Sequence, residues 1–131
     1  MLPVANKPIL AFVLEKLISH NFCDFIFVCN HVNRNLIEYY VKNKFVWTKN
    51  INFSCQFYSV DHYQDMNESL AHLFHQDILT KDFMILRGDC ITECNFNDLV
   101  DNHYLNSNTI TTVYSENPLS PHIFFMDEKT Q

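Results

Sequence analysis

Apolar residues along this chain recur at two different spacings, and the spacing changes several times along its length. After Pro8, apolar residues return every three or four positions, which is typical of an amphipathic helix that begins at a proline. Asp24 to Cys29 is instead an unbroken run rich in aromatic and β-branched residues, which indicates a strand covered on both faces. Helix-like and strand-like segments continue to alternate along the rest of the chain. The predicted helices are 9–20, 33–43, 68–79 with Asn67 as its cap, and a fourth that is capped by Asn95 or Asn97 and runs to Tyr104; the predicted strands are 24–29, 51–60, 82–87, 109–115 and 122–127.

Strands that alternate with helices of this length predict βαβ units. We therefore expect an α/β fold, a Rossmann-like three-layer domain with a mostly parallel sheet and helices on both faces. The whole chain, 1–131, is expected to form this one domain. The order of elements has one irregularity, because it opens with a helix where a doubly wound domain opens with a strand. The first strand of the sheet is expected to be missing, which would expose ladder edges.

The composition of the chain argues against two classes of binding partner, nucleic acids and membranes. The chain of 131 residues has a net charge of −6, and Arg34 and Arg87 are its two arginines, so we expect no nucleic-acid partner. No apolar run approaches the roughly 18 to 20 residues that span a bilayer, so we expect no membrane partner. Five cysteines form an odd set without a secretory leader, which favours reduced thiols and a cytoplasmic location.

The most informative position is the single glycine, Gly88, which follows the predicted strand 82–87 and precedes Asp89. In an open α/β sheet, ligands bind at the carboxyl ends of the strands. An aspartate at that place can hold Mg²⁺ on the phosphates of a nucleotide, since hard cations take oxygen ligands. The structural alternative is that Asp89 is a polar turn residue and Gly88 supplies the bend, at a φ that only glycine adopts freely.

Other pairs of reactive side chains give weaker signals. His72 and His75 share a predicted helix, and Cys90 and Cys94 follow later, but zinc needs four converging ligands and this spacing arises readily by chance. No motif for a nucleophilic serine or cysteine is present. We therefore predict no metal site and no catalytic residue from these patterns.

Three stretches, LPVANKPILAFVLEKL, FIFVC and DFMILRGDC, together resemble the nucleotidyltransferase-like domain of sugar-nucleotide pyrophosphorylases and their relatives. In that family a segment of the form LP-V-x-x-KP precedes the first helix, and a glycine–aspartate pair after a later strand carries the metal-binding aspartate. The matching positions are Pro3, Lys7 and Pro8 in the first segment and Gly88 and Asp89 in the second. The resemblance implies that Gly88 and Asp89 are the remnant of a nucleotide and metal site.

Within the family, residues 39–47, 82–104 and 110–121 resemble subunits of eukaryotic translation initiation factor two-B, a guanine-nucleotide exchange complex. That likeness implies a structural role in contact with the other subunits, with exchange activity in a carboxy-terminal domain beyond Gln131. The family's glycine-rich phosphate-binding loop would lie before Met1, so we expect no cofactor and no catalysis. The alternative is an amino-terminally truncated sugar-phosphate nucleotidyltransferase, for which Asp89 would bind Mg²⁺.

Overall fold

A β–α–β unit with two parallel strands organises the fold in the computed structural model, which describes residues 3–4, 6–45, 53–60 and 66–113. The described residues belong to two structural units, Met1–Phe96 and Asn97–Gln131. The elements in chain order are β1 (Pro3–Val4), β2 (Lys7–Pro8), α1 (Ile9–Ser19), β3 (Asp24–Asn30), α2 (His31–Asn43), β4 (Ser54–Val60), α3 (Met66–His75) and α4 (Phe96–Leu105). This α/β architecture with parallel strands agrees with the predicted fold class.

Strands β3 and β4 pair in parallel over their whole length, from Asp24 opposite Ser54 to Asn30 opposite Val60. The stacked rings of Phe27 and Phe57, with centroids 4.8 Å apart, lie on one face of this pair. Helix α2 covers that face, because the Lys42 ammonium lies over the ring of Phe57 at 5.6 Å. The side chains of β3 alternate between exposed and buried or half-buried positions. The sequence predicted a strand covered on both faces, but one face of β3 remains exposed among the described residues.

Helix α1 supplies much of the buried core of the first unit. It begins after Pro8, whose extended backbone (φ −62°, ψ 143°) places the proline at the helix start as predicted. Its buried residues are Ala11, Val13, Leu14 and Leu17. Before the helix, β1 and β2 form a short antiparallel hairpin with Val4 opposite Lys7, and these two strands are not among the predicted elements.

Helices α1, α3 and α4 end in the same backbone motif. The residue two places beyond each helix has a positive φ, at Asn21 (65°), Asp77 (54°) and Ser107 (50°). In each case the next amide donates back to a carbonyl five residues earlier, as Phe22 does to Leu17 at 3.2 Å and Ile78 to Leu73 at 3.1 Å. These bonds satisfy carbonyls that have no partner inside the helix. Glycine is the usual residue at this position, and here asparagine, aspartate and serine take it.

The second unit contains most of α4 and the residues that follow it. His103 Nδ1 lies 2.9 Å from Thr111 Oγ1, and the Asn108 side-chain amide donates to the same hydroxyl at 3.3 Å. These two contacts fold the residues after α4 back onto its carboxyl end.

Three expectations about the elements were wrong or incomplete. Residues 82–87 take no part in a strand, and neither do 109–113, because neither segment forms a ladder with another segment that the structure describes. Asn67 lies inside α3 and does not cap it, since the helix begins one residue earlier at Met66. The predicted strand 122–127 lies outside the described residues, as do 114–115 and 51–52.

The structure describes the four helices α1 to α4. None of those helices is long and apolar enough to cross a bilayer.

Candidate functional site

The Gly88–Asp89 pair lies in a turn between Arg87 and Cys90, and the Cys90 amide donates to the Arg87 carbonyl at 3.2 Å. Gly88 is not in the left-handed region, since no glycine of this chain has a positive φ. A Cβ atom at Gly88 would meet Leu10 Cδ1 at 3.6 Å, an ordinary van der Waals distance. The expectation that Gly88 supplies a bend only glycine can adopt was therefore wrong. The turn has an ordinary backbone, and the side of α1 lies against it.

Asp89 forms a two-pronged ion pair with Arg87 across this turn. Arg87 Nε donates to Asp89 Oδ1 at 3.0 Å, and Arg87 Nη2 donates to Oδ2 at 2.8 Å. Both carboxylate oxygens thus accept from one guanidinium, whose planar fork matches the carboxylate. The hydrogen bonds and charge of Arg87 hold the pKa of Asp89 below its usual value and raise the pKa of Arg87. The pair is exposed, so salt and water weaken it.

Lys7, the charged residue of the first family segment, is held by α1. Its ammonium forms an ion pair with Glu15 and lies over the ring of Phe12 at 4.5 Å from the centroid. Pro3 and Pro8, the other family positions, face each other in the β1–β2 hairpin. The structure therefore uses this segment to fix the hairpin to the first helix.

A small cavity lies between α1 and the residues around the Gly88–Asp89 turn. Its volume is about 20 Å³, which is room for roughly one water molecule. The lining residues are Phe12, Val13, Lys16, Leu86, Cys90, Ile91, Thr92 and Phe96. A nucleotide cannot enter a space of this size. The cavity lies between α1 and the residues around the turn, and it is too small to be a ligand pocket.

The Mg²⁺ that the family resemblance implies at Asp89 can be tested against the side chains around it. A divalent cation needs several oxygen ligands, but both oxygens of Asp89 already accept from Arg87. No group of three or more histidine, cysteine, aspartate or glutamate residues converges anywhere in the described ranges. The residues that the structure describes around Asp89 do not form a divalent-cation site.

The weaker candidates are also separated in the structure. His72 and His75 are exposed on α3, and His72 Nε2 contacts the side-chain amide of Gln76 at 3.0 Å. Cys90 is exposed and Cys94 is half-buried. Among the described residues they form no metal cluster.

Sequence reasoning missed the residues that contact the family positions. Arg87 was counted only as one of two arginines, although its spacing of two residues from Asp89 across a turn brings opposite charges together. The apolar periodicity of α1 gives no partner for Glu15. It lies eight residues from Lys7, a separation at which only the hairpin geometry shows the contact.

The turn, the hairpin and the parallel strands all lie within the range that a known family matches. The family model described as nucleotidyl transferase matches residues 1–122. This chain belongs to the nucleotidyl transferase family. The matched range includes every residue of the two family segments, Pro3 to Pro8 and Gly88–Asp89. No curated protein and no solved structure gives a significant match. The nucleotidyl transferase assignment thus rests on the family model, and it agrees with the α/β fold.

Proposed function

We propose that this nucleotidyl transferase domain has a structural, subunit-contact role in eukaryotic translation initiation factor two-B, as part of its epsilon subunit. The sequence resemblance to that subunit in residues 39–47, 82–104 and 110–121 motivates the choice, and the gamma subunit is the nearest competitor. The partners would be the other subunits of this cytoplasmic exchange complex. The domain would hold subunits together without transferring a nucleotidyl group.

The observation that carries the proposal is the two-pronged contact between Arg87 and Asp89. In a working transferase of this family, the aspartate of the glycine–aspartate pair is the residue expected to bind metal. Here its two oxygens lie 3.0 and 2.8 Å from guanidinium nitrogens of the same chain. A carboxylate in this arrangement supports a turn. The ion pair with Glu15 likewise gives Lys7 a structural role.

Exposed apolar residues on α2 support a role in binding other proteins. Val32, Leu36 and Tyr39 are all exposed, and their spacing of four and three residues places them along one side of the helix. The opposite side of α2 carries the buried Val41. A helix that is apolar on its outer side as well is typical of an element that contacts a partner.

Co-purification tests the subunit-contact role. The tagged chain, produced in cells that contain the exchange factor, is expected to retain the other subunits of the complex. Leu36→Glu should reduce their recovery, because it places a charge in the middle of the apolar stripe of α2. Phe74→Glu is a matched control, since Phe74 is also exposed but lies on α3. Equal loss of the subunits in both variants, or no recovery with the unaltered chain, would refute the proposal.

A second candidate function is supported by the family match itself. The nucleotidyl transferase model spans residues 1–122, and this is equally compatible with a sugar-phosphate nucleotidyltransferase. Incubation of the natural full-length protein with a sugar 1-phosphate, GTP or UTP and Mg²⁺ distinguishes the two. The structural role predicts no release of pyrophosphate. Turnover that Asp89→Asn abolishes would establish the enzyme.

A further inference from the structure

We draw no further inference here: the strongest candidate, the exposed apolar side of α2 that carries Val32, Leu36 and Tyr39, belongs to the subunit-contact surface already proposed, and nothing in the structure shows what covers it.

Discussion

At the scale of single residues, left-handed backbone positions in this chain are taken by residues other than glycine. Asn6, Asn21, Asp77 and Ser107 have positive φ values, and Gly88 does not. Asparagine and aspartate tolerate this region because their short polar side chains bond locally, but each still carries some steric cost. The position of the glycine therefore does not predict where the left-handed turns of this chain lie. The lone glycine is at a position where its special freedom is not used.

Gly88→Ala is expected to be tolerated. The new Cβ would meet Leu10 Cδ1 at 3.6 Å, and the backbone is not left-handed, so the native state gains no strain. The unfolded chain would lose freedom, and the free energy of unfolding should rise by about 0.4 to 1 kcal/mol. Urea denaturation measures this change. A loss of stability greater than about 1 kcal/mol would contradict the backbone conformation described for Gly88.

The Arg87–Asp89 pair predicts a specific effect of pH. The pKa of Asp89 lies below its ordinary value of 3.8 because Arg87 donates to its carboxylate. The stabilisation from this pair is therefore present above the pKa of the unfolded state and is lost as pH falls through the lower folded-state pKa.

Carboxyl NMR titration of Arg87→Gln should show the pKa of Asp89 rising toward 3.8. Glu38 is the internal control, since Lys42 and not Arg87 lowers its pKa, and its titration should not move. An unchanged pKa for Asp89 in the variant would show that the contact does not form in solution.

At the scale of elements, three helices end in the same backbone motif without a glycine. After α1, α3 and α4, the amide of the left-handed residue donates to the carbonyl three residues earlier, and the next amide donates to the carbonyl five residues earlier. Ser107 is the least suited of the three residues at this position, because glycine and asparagine are the residues usually found there. The carboxyl end of α4 should therefore be the one most improved by glycine.

Ser107→Gly is expected to stabilise the fold by roughly 0.5 to 1 kcal/mol, because it removes the Cβ from a left-handed residue. Asn21→Gly should give a smaller gain. Asp101→Gly, inside α4 and also exposed, is the control and should destabilise, since glycine is costly within a helix. Thermal unfolding of the three variants measures the order. Destabilisation by Ser107→Gly would contradict the motif at this helix end.

Periodicity predicted the elements that are defined by local sequence. The predictions for α1, β3 and α2 agree with the structure to within one or two residues, because Pro8 begins α1 and the side chain of Asn30 caps α2 through the Asn33 amide at 2.9 Å. Residues 82–87 were predicted as a strand from the same kind of pattern and do not form one. A strand also needs a neighbour, and apolar content does not say whether the neighbour is present.

At the scale of the whole molecule, the sequence predicted the class of fold but not the side-chain contacts of the family-motif residues. The α/β architecture and the nucleotidyl transferase family follow from spacing and from two short segments. The hydrogen bonds from Arg87 to Asp89 depend on the turn between them, and the ion pair between Lys7 and Glu15 depends on the hairpin. Such contacts leave no periodic signal in the sequence. They are nevertheless what distinguishes a retained turn from a working site.

The segment 82–87 also determines where a protease can enter this chain. It lies between α3 and α4, and Phe83 within it is exposed, so chymotrypsin should cleave there before it cleaves the helices. A strand held in a ladder cannot extend into the cleft of a protease. The lifetime of the chain in a protease-rich solution would then depend on whether this segment is held in a ladder.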